Sequence, residues 1–298
     1  MKIDIIEYLS SLPQDEIIYY YPNPGNGGDS LISCATFQLF QKIGIKYQIT
    51  DCKKQSFTNK IFIYAGGGNL VSYYHDASDV LNKVIEERPK KLIILPHSIN
   101  ENEDLLRRFD ANVDIVCREF ISYQFVKKIA SQANVLLADD MAFCLNGKEI
   151  VSKNFLFLLA ELMMTYRNIS QFLYILKMIK RYVKKMPYLP RKNKMGILNA
   201  FRTDVEKTNI STPEDNVDLS DVLTLGVSPE PVAIMSTYFI LSIIDQFKEI
   251  RTDRLHIAIA GTILGKQVFL YPNSYFKNEA IYKNSIKDRF PTVHWMGN

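Results

Sequence analysis

Between residues 17 and 138, short apolar runs rich in β-branched and aromatic side chains alternate with longer stretches whose apolar positions recur every three or four residues. The short runs read as strands near 17–21, 46–50 and 61–65, at Lys91 to Leu95, at Asp114 to Cys117 and near 135–138. The longer stretches read as helices near 30–43, 77–87 and 101–109 and at Ile121 to Ala130. Such alternation predicts a mainly parallel sheet, with ligand-facing loops at the C-terminal ends of its strands. Five polar or glycine-rich junctions fall at those ends: Gly25 to Asp29, Gly66 to Asn69, His97-Ser98, Arg118 and Asp139-Asp140. They are expected to line one rim, although Ser98 and Asp139 would serve equally well as helix caps.

The pattern changes at Phe155. Phe155 to Leu159 and Leu162 to Met164 lead into Leu173, Leu176, Ile179, Tyr182 and Val183, interleaved with Lys177, Lys180, Arg181, Lys184 and Lys185. On a helix this is an apolar stripe with a basic flank. It suits either an insertion packed on the core with solvated lysines or a helix lying on an anionic membrane surface. Pro187, Pro190, Arg191 and Lys192 mark a linker.

Strand and helix signals resume with a strand at Met195 to Ala200, a loop rich in Asp, Ser and Pro over 207–221, and a helix at Pro231 to Phe247. A strand at Glu249 to Thr252, a helix at His256 to Leu264 and a strand at Gln267 to Tyr271 follow. The amphipathic tail at Asn278 to Arg289 is expected to cross back to the first lobe, with Trp295 pinning it. The organisation read from the chain is an N-terminal lobe over 1–150, a basic helical insertion over 151–194, a C-terminal lobe over 195–275 and a returning helix over 276–298.

Three glycines in Asn23-Pro24-Gly25-Asn26-Gly27-Gly28-Asp29 let backbone N–H groups approach a ligand with no Cβ in the way. The string matches neither a dinucleotide fingerprint nor a phosphate loop ending in Gly-Lys-Ser/Thr. Gly66-Gly67-Gly68-Asn69 again follows a strand. Cationic donors close two other strands, Arg202 in Arg202-Thr203-Asp204-Val205-Glu206 and Arg254 in Thr252-Asp253-Arg254-Leu255-His256. A guanidinium at a strand-to-helix junction is well placed for a phosphate or carboxylate.

Composition narrows the class. At 298 residues the chain is long enough for two lobes, and its formal charge of +4 is too slight to argue for nucleic acid. Cys34, Cys52, Cys117 and Cys144 have no C-x-x-C spacing, so they read as free thiols in a reducing cytosol with no metal site. The acids Asp4 and Glu7 near the N-terminus argue against a signal peptide, and no 18-residue apolar run suggests a membrane span.

These strings together resemble the polysaccharide pyruvyl transferase family. The resemblance runs from Gly25 to Asp29 through Gly66 to Asn69, Leu95-Pro96-His97-Ser98, Arg118-Glu119 with Ser122, and Asp139 to Phe143, and then takes in the two arginine strings. It implies an α/β fold of two Rossmann-like lobes in a glycosyltransferase-B-like architecture. It also implies transfer of the enolpyruvyl skeleton of phosphoenolpyruvate onto two hydroxyls of a sugar, giving a pyruvate ketal and phosphate, with no cofactor and no bound metal. On this reading Arg202, Arg254, Leu255 and His256 hold the donor, with His256 as acid or leaving-group stabiliser and Asp29 as base or acceptor anchor. Gly27, Gly28, Gly67, Gly68, Asn69, His97, Ser98, Arg118 and Asp140 complete the expected substrate-binding set. Ile257 stands where the family often has glycine, which implies a tighter helix start. The acceptor sugar is expected to be lipid-linked, the protein cytoplasmic and peripheral at the inner face of the membrane, and acceptor selection to lie around Tyr73 to Asp76 and over 207–221. Two other readings remain open from sequence: a glycosyltransferase of similar shape using a nucleotide sugar, and a non-catalytic scaffold of a polysaccharide assembly.

Overall fold

The computed structural model describes residues 2–297 apart from 54, 72–73, 166–172, 174–175, 178–179, 181, 186, 188, 191–194, 205 and 208–209. Tyr73, Ile179, Arg181, Arg191, Lys192 and Val205, named above, lie outside the described residues. The chain divides into two compact units. The first comprises Met1–Pro24, Ala35–Cys144 and Lys283–Ser285, and the second Gly25–Cys34, Leu145–Tyr282 and Ile286–Asn298.

The first unit is built on a seven-stranded parallel sheet: β1 (Ile18–Tyr21), β2 (Tyr47–Ile49), β3 (Ile61–Tyr64), β4 (Gly67–Leu70), β5 (Lys91–Ile99), β6 (Val113–Cys117) and β7 (Asn134–Leu137). The order is β2-β1-β3-β5-β6-β7, with β4 also pairing with β5. Every residue of β3 and β6 is buried, as expected for parallel strands covered on both faces. Helices α1 (Ile5–Ser10), α2 (Gly27–Ile43), α3 (Asp76–Glu86), α4 (Glu103–Arg107) and α5 (Phe120–Ile129) intervene, the first turns of α2 belonging to the second unit. Phe57, Phe62, Leu81, Leu92, Phe109 and Ile115 anchor one core. Asp114 is buried within β6 at 3% exposure and is satisfied by the Tyr8 hydroxyl, Lys91 Nζ at 2.7 Å and Asn134 Nδ2 at 3.1 Å. A buried carboxylate needs such partners to remain charged.

The second unit holds α6 (Gly147–Ser152), α7 (Phe155–Thr165), α8 (Leu219–Val222), α9 (Glu230–Ile244), α10 (Leu255–Ile263) and α11 (Lys277–Ile281). Its parallel sheet has the order β11-β10-β9-β8, with β8 (Ile197–Asn199), β9 (Glu249–Thr252), β10 (Gln267–Leu270) and β11 (Val293–Trp295). Both units are thus parallel α/β structures of Rossmann-like type. Gly261 brings α10 close to this sheet: a Cβ there would lie 2.9 Å from Val268 Cγ2 and 3.3 Å from Ile250 Cγ1.

Several elements differ from the sequence reading. The glycine run after β3 is not a loop, since Gly67–Leu70 is itself a strand. Strand β5 runs on through Pro96 to Ile99, so His97 and Ser98 lie within it. Helix α2 begins at Gly27, earlier than the expected start near residue 30, because Asn26 Oδ1 accepts the Gly28 N–H at 2.8 Å and caps it. The tail forms α11, a π-helical turn over Tyr282–Ile286 and then β11, in which Trp295 stacks on Tyr282 at 5.6 Å. Helix α1 and strand β11 were not read from the chain.

Candidate functional site

Two polar clusters sit at strand ends, one in each unit. In the second unit, Arg202 follows β8 and Arg254 follows β9 as the residue before α10. Adjacent parallel strands end side by side, which is why two arginines about fifty residues apart meet. Arg202 Nε reaches Asp204 Oδ1 at 2.8 Å and its Nη1 reaches Glu206 Oε2 at 2.6 Å. Arg254 Nη1 reaches Asp204 Oδ2 at 2.8 Å, and its Nε and Nη2 grip Asp218 in a two-pronged bond. Lys277 Nζ joins Glu206 Oε2 at 2.7 Å. Asp253 Oδ1 accepts the backbone N–H of Arg202 at 2.7 Å.

The electrostatics follow from burial and these pairs. Burial alone would raise the Glu206 carboxyl, but Lys277 and Arg202 outweigh it and hold the group down at about 2. For Asp204, Arg254 and Arg202 likewise overcome the effect of burial and lower its pKa. Burial wins at Asp253, whose pKa rises to about 6 despite the Arg202 N–H. Both guanidinia are already matched by carboxylates, and among the described residues that pair with them Asp204 leaves a third of its side chain, 34%, in solvent while Glu206 and Asp218 are buried.

The glycine turn lies against the same unit's helix start. A Cβ on Gly28 would collide with the His256 ring at Nδ1, and one on Gly27 would come within 2.6 Å of Ile240 Cδ1 and 3.1 Å of the Ser220 carbonyl oxygen. These glycines are therefore accounted for by close packing within the protein. The Asp29 carboxylate folds back to accept the Asn26 N–H at 2.9 Å. Leu255, the first residue of α10, is buried, as is Ile257 beyond it.

In the first unit, Asn69 Nδ2 donates to Asn23 Oδ1 at 2.7 Å, and the Tyr64 hydroxyl donates to the same oxygen at 3.0 Å. The Asn69 N–H donates to His97 Nε2 at 3.2 Å. His97 is fully buried; burial, reinforced by the Arg118 cation, pushes its pKa down to about 3, so the ring is neutral. Gly67 allows this packing, since a Cβ would lie 3.2 Å from His97 Cε1. Gly68 is half-buried in β4. Arg118 and Asp140 form an ion pair at 2.7 Å with side-chain exposures of 1% and 0%, and Arg118 Nε also holds Ser98 Oγ at 2.9 Å. They tie together the ends of β5, β6 and β7.

The structure therefore gathers Arg202, Arg254 and their carboxylates in the second unit, sets Gly28 against His256 and Gly27 against Ile240 and Ser220 in the same unit, and brings Asn69, His97, Ser98, Arg118 and Asp140 to strand ends of the first. Sequence reasoning gave no role to Asp204, Glu206, Asp218, Lys277, Asn23 or Tyr64. The excess of acids around Arg202 was the only signal for the first two, and Asp218 and Lys277 arrive from segments distant in sequence.

Parallel strands, glycine-tight turns and guanidinium groups gathered at strand ends define a Rossmann-like α/β protein with an ionic cluster at the carboxyl edge of a sheet. The chain belongs to the polysaccharide pyruvyl transferase family, whose pattern it matches over residues 26–275. It is similar to the "Putative pyruvyl transferase EpsO" of Bacillus subtilis (strain 168), with 25% identity over 307 residues, taking in 93% of this chain and 88% of that protein. Among solved structures it is similar to the functionally uncharacterised protein KP1_0663 from Klebsiella pneumoniae subsp. pneumoniae NTUH-K2044, with a TM-score of 0.76 and 28% identity over 98% of this chain and 97% of that one. Membership makes the protein a transferase of pyruvyl groups in polysaccharide synthesis and does not favour the nucleotide-sugar glycosyltransferase. Among the described residues no helix is long and apolar enough to cross a membrane.

Proposed function

We propose that the protein uses phosphoenolpyruvate as donor, with no cofactor, and closes a pyruvate ketal across two hydroxyls of a sugar in a lipid-linked polysaccharide precursor on the cytoplasmic side of the membrane. The observation that carries this reading is Asp204, a partly exposed carboxylate bridging two buried guanidinia. An anion that replaced it would meet both planar forks at once, an arrangement suited to phosphate and carboxylate oxygens. Burial keeps these cations poorly hydrated, which strengthens their hold on an anion.

The chemistry balances without an external oxidant or reductant. The donor methylene takes a proton to become a methyl group, one sugar hydroxyl adds to the cationic carbon, and the second displaces phosphate. One hydroxyl proton replaces the proton spent on the methyl group and the other leaves with phosphate. His256, packed against the Gly28 backbone, is assigned the proton transfer at the departing phosphate, and Asp29 is assigned to the acceptor hydroxyl.

The test is phosphate release from phosphoenolpyruvate by the purified protein across aryl and lipid-linked sugars. Acceptor-dependent release is expected, and Arg202→Ala and Arg254→Ala should each lower kcat/KM by at least about tenfold, the loss of one charge-assisted bond. Unchanged rates in both folded variants would refute the donor site.

A further inference from the structure

Helix α7 departs from the usual surface helix. Leu158 and Leu162 are buried on one side at 2% exposure each, while Leu156, Phe157, Met163 and Met164 stand 70%, 58%, 46% and 68% exposed on the others. A helix apolar all round is ordinarily covered all round. Leu173, Leu176 and Val183, in helical positions further along, are also exposed, and the Tyr182 ring stacks on Phe239 of α9 at 3.9 Å, holding this second stretch to the unit. Beside these rings lies an apolar cavity of about 600 Å³, lined by Phe155, Leu159, Tyr182, Val183 and Phe239.

Charge indicates what covers this surface. Ten of the 36 Lys and Arg residues, but only one of the 32 Asp and Glu residues, fall within 153–194. The remainder of the chain is therefore net acidic, and the basic excess is concentrated on the segment that carries the exposed apolar side chains. Lys177, Lys180 and Lys184 are exposed among them. A second copy applying the same face to itself would set Lys177, Lys180 and Lys184 against like charges. An anionic bilayer surface supplies both missing complements, acyl carbon for the apolar groups and phosphate for the lysines.

We propose that helix α7 and the described residues between 173 and 185 form a membrane-docking face that lies in the headgroup layer of anionic bilayers without crossing them. This inference stands independently of the donor and of the transfer chemistry.

The test is sedimentation of the full-length protein with vesicles of phosphatidylcholine alone and of phosphatidylcholine mixed with phosphatidylglycerol. The protein is expected to pellet with the mixed vesicles, to remain in solution with the neutral ones, and to release as salt is raised. The Lys177→Ala/Lys180→Ala/Lys184→Ala variant should lose about fivefold in partition per lysine, about a hundredfold in all. Leu156→Ser/Phe157→Ser should also fail to pellet. Both variants should keep the wild-type melting curve and wild-type phosphate release with a water-soluble aryl sugar. The lysine variant alters only exposed ends, so it decides the question if the apolar variant does not fold. A wild-type protein that ignores mixed vesicles, or a lysine variant that pellets as before, would overturn the proposal. So would sedimentation velocity showing a dimer that Leu156→Ser/Phe157→Ser splits, which would assign the face to a second copy.

Discussion

Gly28 carries a constraint that its small size conceals, because the space its side chain would fill is occupied by the His256 imidazole. Gly28→Ala must move either the first turn of α2 or that ring. Overpacking of this kind costs about 1–3 kcal/mol, read as a fall in melting temperature. If His256 serves the departing phosphate, kcat should fall by more than the stability loss explains. His97 and Asp253 give opposite pH signatures. The folded state holds His97 neutral down to about 3, whereas an unfolded histidine gains its proton near 6.5, so this residue removes stability as pH falls through that window. Asp253 binds its proton near pH 6 when folded and near 3.8 when unfolded, so it adds stability over the same descent. Melting curves should therefore show Asp253→Asn losing ground to the wild type between about pH 6 and pH 4, whereas His97→Gln should gain on it between about pH 6 and pH 3.

At the scale of elements, α10 depends on Gly261 for its approach to β9 and β10. Gly261→Ala would bring a methyl group within 2.9 Å of Val268, and a loss of about 1–3 kcal/mol in denaturant unfolding is expected. Strand β3 was legible in the sequence because burial on both faces writes it as an unbroken apolar run, Ile61-Phe62-Ile63-Tyr64, and β1 because its β-branched and aromatic residues suit a pleated, half-buried surface. Strand β4 was not, since glycine ordinarily signals a turn and here instead admits Asn23 and His97 beside the backbone. The end of β5 was hidden by Pro96, and β11 by being three residues long. The candidate site was legible to the same degree. Arg202 and Arg254 stand out at the ends of expected strands, with Asp204 and Glu206 close beside the first, but Asp218 and Lys277 are supplied by segments whose return to the strand ends no local pattern records.

Over the whole molecule, neither unit is a continuous piece of chain. Residues Gly25–Cys34 belong to the second unit, where the Ser30 carbonyl accepts the Thr237 hydroxyl at 3.2 Å and Ser30 Oγ donates to the Gly226 carbonyl at 3.0 Å. Likewise Lys283–Ser285 belong to the first, where Asn284 Nδ2 donates to the Arg118 carbonyl at 3.1 Å. A fragment starting at Leu145 should therefore melt well below the intact protein, and adding a synthetic peptide of residues 25–34 should recover part of the loss by mass action, as circular dichroism would show. The same interleaving sets a timetable on the ribosome. The segment Gly25–Cys34 that caps the second unit is made before that unit, and its partners Gly226 and Thr237 follow only after about two hundred more residues, which at ordinary elongation rates is a delay of roughly 10–40 s. During that interval the apolar start of α2 is without its partners, so the nascent chain is open to capture by chaperones before either unit can close.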